Sequence, residues 1–268
     1  MIALRTEREI DILREANLIV AEVLATLADT VRPGVTTGEL DELGEALIRQ
    51  KNAVPSFLGY RGYPKATCIS VEDVIVHGIP GPRRVEEGEI VSIDVGALYK
   101  GYHGDAALTV PCGRVDSIRQ RLITVTDQAL AAAIAAVRSG VYLHEVSRAI
   151  QETCEPEGFS VVRVFVGHGI GRQMHEDPQI PNFVAGDRGP KLKPGMVLAI
   201  EPMVNAGVAD VRVLKDRWTA VTADGKPSAH FEHSVVVREK SAEILSITPK
   251  RAWGQALIAP RRHGSVNG

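Results

Sequence analysis

The chain has 268 residues, 44% of them hydrophobic, and its 31 basic and 33 acidic side chains leave a formal net charge of −2. That near balance excludes a nucleic-acid binder driven by bulk charge, and the length suits one large domain or two small ones. Three cysteines, Cys68, Cys112 and Cys154, are odd in number and form no CxxC pair, which fits a reducing cytoplasm and excludes a disulfide scaffold.

From the N-terminus, MIALRTEREIDILREANLIV is charged throughout and lacks the apolar core of a signal peptide. No apolar run in the chain approaches the roughly 20 residues that span a bilayer. We therefore expect a cytoplasmic protein with no membrane partner and no nucleic-acid substrate. Thr6-x-x-Glu9 is a capping box that opens a helix to about Ala28, with Ile10, Leu13, Leu24 and Leu27 on its buried stripe. Pro33-Gly34 breaks it, and Thr36-x-x-Glu39 opens a second helix to about Gln50. The loop SFLGYRGYPK leads to a strand over 66–70. Another strand over 90–95 turns back through Tyr99-Lys100-Gly101 into a partner over 103–110. A long helix over 117–137 and a shorter one over 144–155 precede a strand over 160–166. Strands over 196–204, 210–214, 218–222 and 229–237 complete the pattern. Residues 1–248 are expected to form one catalytic domain, and the basic tail 249–268 to be loosely held.

The order repeats. Residues 31–40 and 137–146 share the pattern V-R-x-G-V-x-x-x-E-[LV]. Residues 88–94 and 195–201 share Gly, any residue, two apolar residues, a small residue, Ile and then a carboxylate, Asp94 or Glu201. Two matches at nearly the same offset predict two related halves of one domain, built about a pseudo-two-fold axis.

A carboxylate ending a buried strand is costly unless it is paired, hydrogen-bonded or bound to metal. Asp94 and Asp105 flank one hairpin and can share a face. Glu201 and Glu232 bracket the matching region of the second half, and His168 stands in Gly-His-Gly-Ile-Gly, where flanking glycines let the backbone turn. Each alone reads as a cap or a salt-bridge partner; the set reads as a metal site. Four converging carboxylates repel unless cations intervene. Carboxylates and imidazole without thiolate suit Mn²⁺, Fe²⁺ or Co²⁺, with Zn²⁺ also compatible. Two such ions can activate a bridging hydroxide, so the chemistry expected is hydrolysis of a carbonyl compound. His103 and His233 are expected to point to the opposite strand faces. GHGIG and GYRGYP lack the Walker spacing and a full GxGxxG, which excludes a phosphate loop.

The stretches GYRGYPKATCIS, VHGIP, VSIDVGALYKGYHGDAALT, VGHGIGRQMHEDP, MVLAIEPMV and FEHSVVV run in order along the chain. Together they resemble the type I methionine aminopeptidases. The resemblance implies an α+β pita-bread fold: a curved antiparallel sheet backed by helices, with internal pseudo-two-fold symmetry. It implies two divalent metals held by Asp94, Asp105, His168, Glu201 and Glu232, with Asp105 and Glu232 bridging. A metal-bridged hydroxide would attack the carbonyl of an N-terminal methionine, with Glu201 also moving the proton to the leaving amine. His175 would bind the substrate carbonyl and His77 the scissile amide region. The methionine side chain would enter a pocket of Tyr60, Tyr63, Cys68, Met174 and Trp218, since rings and sulfur suit a thioether. The partner implied is the initiator methionine of nascent chains with a small second residue, cut by a monomeric enzyme. The basic tail (Lys250, Arg251, Arg261, Arg262) hints at the ribosome. Glu72-Asp73 stand where the family usually has Asn-Glu, so the monovalent-cation site of some relatives is not carried over. The rivals are a proline-directed aminopeptidase or dipeptidase of the same fold, and a pita-bread binding protein without catalysis. The former usually has an additional N-terminal domain, for which the segment before Asp94 leaves little room; the latter should lack ligands that are present here.

Overall fold

The computed structural model describes residues 2–248 and Trp253. The first half of the chain forms α1 (Glu7–Thr30), α2 (Thr37–Gln50), β1 (Val54–Pro55), β2 (Thr67–Val71), β3 (Val74–Val76), β4 (Ile90–Tyr99) and β5 (Tyr102–Pro111). The second half forms α3 (Ser117–Ala136), α4 (His144–Cys154), β6 (Ser160–Val161), β7 (Gly167–Gly169), β8 (Glu176–Ile180), β9 (Val197–Ile200) and β10 (Met203–Asn205). It then continues with β11 (Val211–Val213), β12 (Ala220–Thr222), β13 (Ser228–His230), β14 (Glu232–Val237) and β15 (Ala242–Ile244). No helix among the described residues is long and apolar enough to cross a membrane.

Both predicted capping boxes form: the Thr6 and Thr36 hydroxyls accept from the N–H of Glu9 and Glu39, whose carboxylates reach back to the threonine N–H. The repeated V-R-x-G-V segments fall at the two helix–helix connections, α1 to α2 and α3 to α4. Gly34 and Gly140 adopt φ of +89° and +83° there, a conformation that a Cβ disfavours. Lys100 and Gly101, both at positive φ, make the two-residue turn joining β4 to β5.

The main sheet runs β1-β4-β5-β14-β9-β7-β8, with β2 also on β4 and β15 also on β14. Its pairings are antiparallel. The centre of the sheet is where the halves meet: the β4–β5 hairpin abuts β14 and β9, and the two copies of the repeated strand motif, β4 and β9, stand symmetrically about the β5–β14 seam. Helix α1 packs on β4 and β5, α2 on β2, and α3 on β5, β10 and β13. The main apolar core lies between these helices and the sheet, around Leu24, Leu40, Ile93, Leu108, Leu130 and Leu198.

Three expected strands are broken. The strand over 160–166 ends after Val161, and the chain bends before β7. The run 196–204 splits into β9 and β10 at Glu201-Pro202, because a proline has no N–H to continue the ladder. The run 229–237 splits into β13 and β14 at Phe231. The expected tail 249–268 lies outside the described residues except for Trp253, which is 5% exposed.

Candidate metal centre and its pocket

Successive strands of the sheet, β4, β5, β14, β9 and β7, deliver Asp94, Asp105, Glu232, Glu201 and His168 in that order. Ala107 on β5 is the direct partner of Asp94 on one side and of Glu232 on the other. Asp105, two residues before Ala107, shares its face. A methyl group at the centre leaves room for the carboxylates around it. Cys68 on β2 stands directly opposite Asp94 and extends the same row. Glu201 leaves the ladder where β9 stops, so its side chain is free to turn toward His168, whose ladder partner is Ala199.

His168 Nε2 lies 3.8 Å from Asp105 Oδ2 and 3.5 Å from Glu201 Oε1. One donor atom each from Asp105, His168 and Glu232 lies within 4.8 Å of the others. The His168 Nδ1–H donates to the Gly169 carbonyl at 2.9 Å, which leaves Nε2 as a lone pair facing the acids. Asp105 and Glu232 are 3% and 2% exposed. Burial pushes Asp94 up to about 7. Burial, then the neighbouring carboxylates, raise Asp105, Glu201 and Glu232 well above the usual range. Burial holds His168 down to about 3, so it is a neutral donor. Among the described residues no lysine or arginine pairs with any of these acids. Asp94 Oδ1, Asp105 Oδ1 and Glu232 Oε1 are buried without a hydrogen-bond partner. Orphaned carboxylate oxygens beside a neutral imidazole are the donor set of a divalent cation, and the residues present fit one.

Every predicted site residue lines one cavity of about 190 Å³, which Phe57 and Arg61 complete. Phe57, Tyr63, Cys68 and Met174 form an apolar cluster separate from the main core, with Tyr60 and Trp218 against it. Trp218 meets Tyr63 edge-on at 5.1 Å, and the Tyr63 hydroxyl is anchored 3.0 Å from the Thr67 and Gly78 carbonyls. His175 Nδ1 is 2.8 Å from the Tyr60 hydroxyl, and its ring centre is 4.3 Å from that of His168. Burial, then the positive charge of Arg61, holds His175 down to about 4. His77, at φ +61°, packs edge-on to Phe165 and Trp218 and is held down to about 4 by burial, then by His175.

Two local readings change. His103, expected on the opposite face, lies two residues from Asp105 and therefore on the same one. Its Nδ1 is 2.8 Å from Ser56 Oγ, and its charge would bear on His175. The glycines beside His168 serve close approach, not a turn: a Cβ on Gly167 would sit 2.5 Å from the Ala199 carbonyl oxygen, and one on Gly169 2.1 Å from that of Asp177. His233 does point away from the site, toward Ser246 and Trp253.

Two buried groups went unread in the sequence. His230 Nε2 lies 3.6 Å from Glu201 Oε2 and has no hydrogen-bond partner; its signal was the spacing His-x-Glu to Glu232. Asn17, fully buried on α1, accepts at Oδ1 from the Asp105 N–H and donates from Nδ2 to the Leu13 carbonyl. An amide on the apolar stripe of α1 was the available clue. Glu72, where the resemblance departs, receives the Arg119 guanidinium and the Ile90 N–H.

Residues 11–239 match the model of metallopeptidase family M24. The chain belongs to that family. Methionine aminopeptidase 1 of Bacillus subtilis is 48% identical over 246 residues, 92% of this chain and 99% of the relative. The crystal structure of methionine aminopeptidase from Thermotoga maritima is 45% identical, superposes with a TM-score of 0.91 and covers 92% of this chain and all of that one. Within family M24 the chain therefore groups with the methionine aminopeptidases and has their curved, two-halved α+β sheet, the pita-bread fold. Prolidase from Pyrococcus furiosus, 24% identical with a TM-score of 0.73 and only 65% covered, shares the fold alone.

Proposed function

We propose that the protein is a cytoplasmic, monomeric metallo-aminopeptidase that removes the initiator methionine from nascent chains with a small second residue. The observation that carries this reading is the opening of a sulfur- and aromatic-lined cavity directly onto the buried acids. An unbranched thioether fills such a space and meets favourable ring and sulfur contacts. The proline-directed reading has weaker support, since the neighbours so named are less than 25% identical. The non-catalytic reading has none, because all the candidate ligands converge.

Asp94, Asp105, His168, Glu201 and Glu232 would hold two divalent cations, Mn²⁺, Fe²⁺ or Co²⁺ with Zn²⁺ also compatible. When bound, the metals would polarise the scissile carbonyl and lower the pKa of the attacking water. Glu201, raised by burial and set between His168 and His230, takes the proton from that water and returns it to the leaving amine nitrogen. The His175 Nδ1 is engaged by the Tyr60 hydroxyl, so Nε2 remains to donate to the carbonyl oxygen as charge develops there. His77, neutral and edge-on to Trp218, faces the amide. The walls formed by Phe57, Tyr63 and Trp218 exclude water from the first side chain. The ribosome is a further candidate partner, for which the basic residues Lys250, Arg251, Arg261 and Arg262 are the hint in the sequence.

The test is release of methionine from Met-Ala-Ser, and of alanine from Ala-Pro-Ser, by metal-stripped protein before and after Mn²⁺ or Co²⁺. Metal-dependent cleavage of the first peptide alone is expected. Cleavage of the second alone would move the protein to proline-directed substrates.

A further inference from the structure

The catalytic cavity opens into a second, larger cleft of about 710 Å³, walled by Arg5, Arg172, Gln173, Glu176 and Gln179. The two spaces share Arg61, His168 and His175. A peptide with its first side chain in the apolar cavity and its first carbonyl at His175 has to leave along this cleft. We propose that the cleft binds the residues downstream of the scissile bond and that Arg61 there selects chains with an acidic third residue. This rests on the methionine-removal reading of the same site.

Arg61 holds φ +49° between Gly59 and Gly62, a backbone conformation uncommon for a residue with a Cβ. The turn carries its guanidinium to 5.4 Å from the centre of the Tyr60 ring, and the hydroxyl of that ring holds His175. The cation is thus fixed one aromatic ring away from the imidazole at the scissile carbonyl. Consecutive Cα atoms are about 3.8 Å apart, so the residue after the small second one reaches this position. Other charges in the cleft have partners: Arg5 pairs with Glu176, Arg172 lies 3.5 Å from Glu9 and over the Tyr102 ring, and Asp177 is engaged. Arg61 is exposed and pairs with no carboxylate among the described residues. It is the cation left for an incoming one.

The experiment compares kcat/KM of the Mn²⁺-loaded protein on C-terminally amidated Met-Ala-Glu-Ser, Met-Ala-Gln-Ser and Met-Ala-Lys-Ser. Amidation removes the terminal carboxylate as a rival source of charge. The glutamate peptide is expected to be cleaved about two- to fivefold better than the lysine peptide, the size of an exposed ion pair. The ratio should shrink at high ionic strength. Arg61→Asn, whose side chain tolerates the left-handed backbone, should bring the ratio to one, while Arg61→Lys keeps part of it. Equal rates for the three peptides at low ionic strength, or a ratio that survives in Arg61→Asn, would overturn the proposal. Should Arg61→Asn not fold, a native ratio insensitive to salt would overturn it equally. Release of methionine from none of the three peptides would instead remove the methionine reading beneath it.

Discussion

At the scale of single residues, the proton-handling role proposed for Glu201 depends on where the chain lets go of the sheet. Pro202 ends the β9 ladder, and the freed carboxylate lies between His168 and His230 at 3.5 and 3.6 Å. Glu201→Gln keeps the shape of that side chain and removes its capacity to carry a proton. We expect kcat to fall by at least about 10²-fold with the melting temperature little changed; undiminished turnover would exclude Glu201 as the shuttle. Glu9 offers a separate test far from the chemistry. Its carboxylate accepts from the Tyr102 hydroxyl at 2.6 Å and from the Thr6 N–H, and these bonds, the first above all, hold its pKa down to about 2. A carboxylate depressed in the folded state contributes stability above its unfolded pKa of about 4.3 and loses it as pH falls toward about 2. Glu9→Gln should therefore cost about 1 kcal/mol near neutral pH. The gap between the two melting temperatures should close on titration from pH 5 to about pH 2. A gap that stays constant across that range would deny the linkage.

At the scale of elements, α1 supports the candidate metal site without lending it a candidate ligand. Gly104 on β5 lets the helix come so close that a Cβ there would sit 2.7 Å from the Ala16 carbonyl carbon and 2.8 Å from the Asn17 nitrogen. The atoms opposed are backbone, so the helix itself has to move, and Asn17 leaves the Asp105 N–H as it does. Gly104→Ala should destabilise the fold by about 1–3 kcal/mol and weaken divalent-metal affinity along with it. Weakened stability with unaltered metal affinity would show that Asn17 does not position Asp105. These elements also mark what was legible in the sequence. The capping boxes, the hairpin and the repeated strand motif depend on local patterns, and the structure reproduces them within a few residues. The convergence of Asp94, Asp105, His168, Glu201 and Glu232 was legible through the repeat and the ordered motifs, since one acid per strand end is a local signal. The breaks at Val161 and Phe231 were not legible, because neither run contains a proline or glycine to mark the change of sheet. His230, Asn17 and Arg61 were missed because what surrounds them is tertiary: Glu201 for His230, Asp105 for Asn17 and His175 for Arg61 are all distant in sequence. Trp253 belongs with them: its indole N–H donates to the Glu232 carbonyl and its ring stacks on His233 at 4.6 Å, contacts no residue pattern announces.

At the scale of the whole molecule, the cluster of acids is where the halves join. Asp94 and Asp105 come from the first half, His168, Glu201 and Glu232 from the second, and the seam between them is the short β5–β14 pairing at Ala107–Glu232 and Ala106–His233. Without a cation, burial and mutual repulsion oppose ionisation of these acids, and that penalty falls on the seam. A divalent cation that binds the folded chain alone stabilises it by mass action, by about 2.7 kcal/mol at a hundredfold excess over Kd. For a domain of this size that is a rise in melting temperature of roughly 5–10 °C. Because the candidate ligands of both halves would meet one charge, the gain should not be confined to either. Amide hydrogen exchange, compared between metal-stripped and Mn²⁺-loaded protein, should slow in β4 and β5 and in β9 and β14 together, with the largest change at the β5–β14 seam. Protection appearing only in β9 and β14 would mean that His168, Glu201 and Glu232 hold metal without the first half. The two-halved domain would then fold as a unit for reasons of apolar packing alone.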